Sequence, residues 1–377
     1  MQKDHIKGLD GLRGIAAIAV FATHYDQIIF VDFSIAMFDL GLLFENGKIG
    51  VSLFFILSGF LLSLPFWDQL LYSIPFQGTR RYFKFRFARI IPAYYVCLTA
   101  LLIINDEWKL ALSSPDILLH YLFVFNLTEF SIFSFNSVFW TLAVEMQFYL
   151  ILPILFWVLQ WFKPRHTSII VLSLIFTPYV IQYLIIEYFT HSVQWPWDNN
   201  LTWVGIFGAV ISHSIIAHLP HFILGVFAGR YVKNQNLQAL GKRWYELIFW
   251  LAVAFLFIIL STPVYDSISL PASRYGFPIV SILITLVIIS CSRTLFAVKI
   301  LDSFMFKQLG VISYGVYLYH LPVLNYLDFL MKKNGYDVME YASLYAIISF
   351  LLTLMFALVS YYLVEQPILK VVRKNNH

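Results

Sequence analysis

The chain has 377 residues, of which 60% are apolar, 19% aromatic and only 12% charged, with a formal net charge of +4. Soluble domains run at roughly 45–50% apolar and about 25% charged, so this chain lacks the polar surface that water demands. Its 37 Phe, 23 Tyr and 10 Trp exclude disorder, and its small positive balance, largely claimed by membrane topology, excludes a nucleic-acid binder.

A membrane span takes about 20 apolar residues to cross about 30 Å of hydrocarbon. In chain order, ten segments read as spans: 12–29, 49–67, 90–104, 138–162, 168–187, 204–228, 246–260, 276–291, 310–330 and 341–364. The apolar piece 117–126 is too short to cross and reads as an interfacial or re-entrant helix. Cys97 and Cys291 sit in separate apolar runs and suggest neither a disulfide framework nor a metal cluster. The expected fold is therefore all-α and polytopic, with about ten transmembrane helices. It forms one integral-membrane domain over 1–377, with no fused soluble domain. Placing the N-terminus in the cytoplasm leaves only Lys48, Lys109, Arg274, Lys332 and Lys333 of the 25 Lys and Arg on outer loops. Both termini are then cytoplasmic, in the inner membrane. Arg13, His24 and Asp26 argue against reading the first apolar run as a cleaved signal peptide.

Ionisable groups inside spans are costly, roughly 2.5–3.5 kcal/mol each for Asp, Lys or Arg, and so mark candidate functional positions. Arg13 and His24 are eleven residues apart on one predicted helix, which puts them on the same face about 16 Å apart along the axis. A His can take up and return a proton near neutral pH. The pair suits a substrate with a charged head at the inner surface and a reactive end deep in the membrane. Glu145, counted from the outer end of the fourth span, comes to nearly the depth of His24, so a His–carboxylate pair is one expectation. A structural carboxylate, neutralised by an arginine or buried in its acid form, is the other. His320 lies midway through the ninth span, sharing a helical face with Ser313 and Tyr317.

The run Arg80–Arg89 is the densest charge in the chain, and topology with anionic lipid explains part of it. Arg86 and Arg89, one helical turn apart and close to where Arg13 should lie, could instead hold phosphates. His213, His218 and His221 lack Cys, Asp or Glu at ligand spacing, and no metal is expected. Ser58-Gly59 reads as a small-residue helix contact.

Taken in order, these segments resemble the membrane-bound acyltransferase-3 family. The resemblance rests on Leu9-Asp10-Gly11-Leu12-Arg13-Gly14 with His24, on Phe54–Phe60, on Arg86-Phe87-Ala88-Arg89-Ile90-Ile91-Pro92, and on Trp140–Tyr149 around Glu145. Ser313-Tyr314-Gly315 with His320, and Glu365-Gln366-Pro367, complete it. Relatives of this kind look like ten-helix inner-membrane enzymes that move short acyl groups from coenzyme A to hydroxyls of lipopolysaccharide, capsule or other envelope glycans. The resemblance implies acetyl-CoA as co-substrate and a glycan or glycolipid acceptor, in contact with membrane lipid. Arg13, Arg86 and Arg89 would bind the acyl-CoA phosphates. His24 would be the general base or a transient acyl carrier, Glu145 would orient it or share its proton, and His320 would assist acceptor binding. Some relatives carry a fused periplasmic domain, whereas only a basic tail follows Glu365 here. The expectation is that the chain acts alone or with a separate periplasmic partner. A glycan-intermediate transporter, and an acyltransferase acting on a small molecule, remain the competing readings.

Overall fold

Almost every apolar run of the sequence becomes a helix, as it must where backbone groups cannot turn to water for hydrogen bonds. The computed structural model describes residues 6–76, 78–104, 115–191, 210–234, 241–268, 275–276, 278–291 and 293–374. Residues 204–209 of the sixth predicted span, Phe277 of the eighth, and the topology markers Lys3, Lys109 and Arg274 lie outside the described residues.

In order, the helices are α1 (Leu9–Ile29), α2 (Leu40–Glu45), α3 (Ile49–Tyr72), α4 (Thr79–Ile104), α5 (Pro115–Tyr121), α6 (Trp140–Leu159), α7 (Pro164–His191) and α8 (Ile215–Lys233). They continue as α9 (Lys242–Leu260), α10 (Val264–Ile268), α11 (Ile279–Cys291), α12 (Phe296–Leu301), α13 (Phe304–Lys333), α14 (Ala342–Ser360) and α15 (Gln366–Lys374). A two-residue hairpin, β1 (Ser34–Ile35) with antiparallel β2 (Phe38–Asp39), joins α1 to α2.

Most of the described part of each predicted span is helical, the eighth on the 13-residue α11, and the protein is a multi-pass membrane protein. Among the described residues, six helical stretches are long and apolar enough to cross a membrane by length and composition: Leu40–Tyr72, Thr79–Ile104, Trp140–Leu159, Val210–Lys233, Lys242–Leu260 and Ala342–Lys374. α1 and α13 fall outside that set, and both carry ionisable side chains within the helix. They pack along each other through much of their length, with α3 on a second side of α1 and α14 on a second side of α13. Their polar residues are thereby turned toward one another and away from lipid.

α4 starts eleven residues before its predicted span, because the basic run 80–89 is itself helical and continuous with the apolar part. α14 ends in a π-helical turn, Tyr361–Glu365, which delivers the buried Glu365.

Two devices hold the bundle tightly. α3 and α8 cross at backbone contact: a Cβ on Gly59 would strike the Phe222 carbonyl oxygen, and one on Gly225 the Ile56 carbonyl oxygen. Small residues at such crossings replace the hydrophobic drive that lipid removes. Internal prolines, meanwhile, free the carbonyl four residues back. Pro322 in α13 releases the Leu318 oxygen, which accepts from Asn136 Nδ2 at 3.3 Å. Pro153 in α6 releases the Tyr149 oxygen, which accepts from the Tyr82 hydroxyl at 3.3 Å.

Candidate active site

Arg13 and His24 rise from one face of α1, about three turns apart, and each helps to line a different cavity. Arg13 faces an inner cavity of about 750 Å³, open space included, that also takes in Arg86 and Arg89 of α4, Ser58 of α3 and Glu145 of α6. Tyr149 and the α13 residues Ser313, Tyr314 and Tyr317 complete its polar lining. Three guanidinium groups and one carboxylate thus line the same cavity. Two further carboxylates lie close by: Asp10, 3.7 Å from Arg13 one turn back on the same helix, and the buried Glu365, near enough to Arg89 for their charges to interact. The Nε of Arg86 is buried without a hydrogen-bond partner. A buried donor left unsatisfied is costly, and an anion brought into the cavity would supply its acceptor.

The Glu145 carboxylate is fixed by two hydroxyls, both donating to Oε1: Ser58 Oγ at 2.8 Å and Tyr149 OH, one turn along α6, at 2.6 Å. It shares its cavity with the three arginines, but among the described residues it forms no ion pair within 4 Å with any of them, and it makes no pair with His24. Counting depth from the end of the predicted span failed because α6 does not begin at the surface. Asn136, Val138, Phe139 and Trp140, which lead into it, are all buried. Glu145, five residues beyond Trp140, therefore lies about 7.5 Å deeper than the helix start, whereas His24 lines a cavity with Val138 and Trp140 themselves.

That outer cavity, about 850 Å³ with open space included, is lined by His24, Gln27, Glu45, Lys48, Trp140 and Tyr275 among others. His24 has found a different partner from the one its depth suggested. The Nε2 of His320 lies 3.1 Å from the Nδ1 of His24, and the two rings are tilted at 59°. His320 is completely buried, with Nδ1 at 2.7 Å from the Tyr317 carbonyl oxygen and 3.2 Å from that of Val316.

Carbonyl oxygens only accept, so His320 Nδ1 carries a hydrogen and, in the neutral ring, Nε2 bears the lone pair. His24 Nδ1 faces that lone pair and, at 2.9 Å, the Val20 carbonyl oxygen. It too must donate, which leaves the lone pair of His24 on Nε2. The backbone of α13 therefore fixes the tautomer of His320, and His320 fixes that of His24. The result is an oriented nitrogen base in a cavity with room for a substrate.

The two cavities share only Val51 and Tyr317 among their lining residues. The Tyr317 hydroxyl is held 2.7 Å from Thr141 Oγ1 and 3.1 Å from the Val138 carbonyl oxygen, which accepts from it.

All six candidate residues are therefore placed, in two groups: Arg13, Arg86, Arg89 and Glu145 in one cavity, His24 and His320 at the other. Ser58 and Tyr149 join the first group. The i, i+4 spacing of Glu145 and Tyr149 was the available signal for one, while Ser58 looked like a packing contact. Among the described residues, no group of three or more His, Cys, Asp or Glu is arranged to hold a metal. His218 packs against Trp140 and Tyr275, with ring centroids 4.9 Å from each.

The Glu145 cluster yields a first expected outcome. Glu145→Gln removes one counter-charge to three guanidinium groups and should lower stability by about 1–3 kcal/mol. A thermal-shift measurement in detergent checks this, and an unchanged midpoint would show that Glu145 does not neutralise the arginines.

The acyltransferase domain family matches residues 6–364. The peptidoglycan O-acetyltransferase OatA of Listeria monocytogenes is 26% identical over 388 residues, covering 98% of this chain and 56% of that protein. The O-acetyltransferase OatA of Staphylococcus aureus is 27% identical over 397 residues, covering 97% of this chain and 57% of that protein. The chain thus spans a little over half the length of these relatives. No solved structure matches it significantly.

Proposed function

The chain belongs to the acyltransferase-3 family, and from that we propose that it transfers an acetyl group from acetyl-CoA to a hydroxyl of an envelope polysaccharide or glycolipid. One observation carries this reading: an arginine-lined cavity and an oriented histidine base stand back to back across a two-residue wall. In this proposal the ten helices that carry the predicted spans cross the bilayer, with the basic end of the bundle, and both termini, toward the cytoplasm. Acyl-CoA enters from that side, and Arg13, Arg86 and Arg89 take its phosphates, giving Arg86 Nε the acceptor it lacks. The pantetheine arm extends along α1 and brings the thioester past Val51 and Tyr317 toward His24.

The acceptor glycan occupies the outer cavity, where Trp140 and Tyr275 offer aromatic faces and Gln27, Glu45 and Lys48 offer polar groups. His24 Nε2 removes the proton of the acceptor hydroxyl as its oxygen attacks the thioester carbonyl. The carbon–sulfur bond breaks, the ester forms, and the imidazolium returns its proton to the departing CoA thiolate. His320 accepts the Nδ1 hydrogen of His24 throughout and keeps the ring oriented. The similarity to a peptidoglycan O-acetyltransferase of Listeria supports a glycan acceptor in general.

The test is reconstituted protein with acetyl-CoA, read as release of free thiol and as ester formed on added envelope glycan. Arg13→Gln, Arg86→Gln and Arg89→Gln should each raise KM for acetyl-CoA by roughly ten- to a hundredfold, with kcat little changed, because a charge-assisted contact is lost on binding. Unchanged KM values in all three would remove the phosphate role. Absence of turnover, together with lost glycan export when the gene is deleted, would favour a transporter instead.

A further inference from the structure

Away from both cavities, a long apolar groove runs along the lipid-facing flank between α1 and α9, floored by α3 and α11. It encloses about 1580 Å³ with open space included, and its walls are almost wholly hydrocarbon and aromatic, from Leu12 to Ala22 on α1 and from Phe249 to Leu260 on α9. Ten residues of helix make it about 15 Å long, half of the roughly 30 Å hydrocarbon core and so the depth of one leaflet. One end is closed by α12 and Phe306.

Beyond that end, on the other side of α12, lies a basic hollow of about 1010 Å³ lined by Lys7, Lys242, Arg293 and Lys299. A single short helix joins the two: Ala297, Ile300 and Leu301 face the groove while Lys299 faces the hollow. The Arg293 guanidinium is set in place over the Tyr245 ring, 4.9 Å from its centroid, and lies 3.4 Å from its hydroxyl. The acidic side chains nearby are turned to other partners. Glu246 accepts from Trp250 Nε1 at 2.9 Å and from the Leu295 amide at 3.0 Å, and Asp302 accepts from the Gly8 amide at 2.7 Å.

We propose that this groove and its basic cap form a binding site for one anionic glycerophospholipid, its phosphate among Lys242, Arg293 and Lys299 and an acyl chain laid between α1 and α9. Charge complementarity at one end and the length of the groove at the other select that occupant. A neutral lipid leaves the cations unanswered, and a soluble phosphate leaves the groove empty. The site rests on the protein's being embedded in a membrane and is independent of the reaction proposed above. Bound there, the lipid packs against the face of α1 opposite the one bearing Arg13 and His24 and braces that helix.

The test is lipid exchange on the purified full chain in nanodiscs, followed by native mass spectrometry of retained lipid. Wild-type protein should retain phosphatidylglycerol over phosphatidylcholine by at least about tenfold, given what each cation contributes near an anionic headgroup. The triple variant Lys242→Gln, Arg293→Gln, Lys299→Gln should lose that preference with its melting midpoint unchanged. Val253→Trp, which fills the groove, should reduce retention of both lipids. Equal retention of the two lipids by wild type would reduce the site to annular contact and overturn the proposal. So would a triple variant that keeps the preference, or displacement of the lipid by glycerol 1-phosphate alone.

Discussion

His24→Ala should cut acetyl transfer by roughly 10²- to 10⁴-fold, the range general-base catalysis contributes, while leaving the KM for acetyl-CoA close to that of wild type. The split follows from the layout: His24 lines the outer cavity, and the arginines that would hold the donor line the inner one. His320→Ala should give a smaller loss in kcat, because the lone pair of His24 Nε2 survives but its ring loses the 3.1 Å contact that orients it. Initial rates over a range of donor concentrations measure both parameters. A His24→Ala enzyme with undiminished kcat, properly inserted and stable, would sink the general-base role. A fall in kcat/KM carried wholly by KM would instead move His24 into donor binding.

Gly59→Leu should be the most damaging single change to the fold. Its first added carbon already collides with the Phe222 carbonyl oxygen, a backbone atom that cannot swing aside as a side chain would. Overpacking a well-packed interior costs about 1–3 kcal/mol when side chains can adjust, and the cost here should exceed that range because α3 and α8 must separate. The same helices carry Ser58 beside Glu145 and the buried His218 and His221, so separation opens the inner cavity too. Size-exclusion chromatography in detergent, read by intrinsic fluorescence, should show loss of the monodisperse peak. Gly241→Leu, where nothing lies within 4 Å of a new Cβ and the backbone φ is −70°, is the control that should behave as wild type.

Much of the architecture was legible in the residues themselves. Apolar runs long enough to cross a bilayer fold as helices because lipid offers the backbone no other partner, and most of the described part of each predicted span lies on one. Arg13 and His24 on one face of α1 follow from helical geometry alone. Which group meets which did not. Glu145 was matched to His24 by counting residues from an assumed surface, but the segment before α6 is folded into the protein, and the count began at the wrong depth. The pairing of His24 with His320 depends on how α1 and α13 lie side by side, a relation between residues 296 positions apart that no local pattern encodes. The basic run was read from its charges, and those charges hid the fact that it is one helix with the apolar segment that follows.

The wall between the two cavities bears on the energetics of the cell. Two polar hollows placed end to end in one bundle would, if joined, offer protons and ions a passage across the bilayer and drain the gradients stored there. Val51 is apolar, and the Tyr317 hydroxyl is already engaged with Thr141 and the Val138 carbonyl, so neither is disposed to complete a wire of water from one side to the other. In the proposed reaction an acetyl group would be handed through an insulator, and the membrane would keep its voltage as it passed.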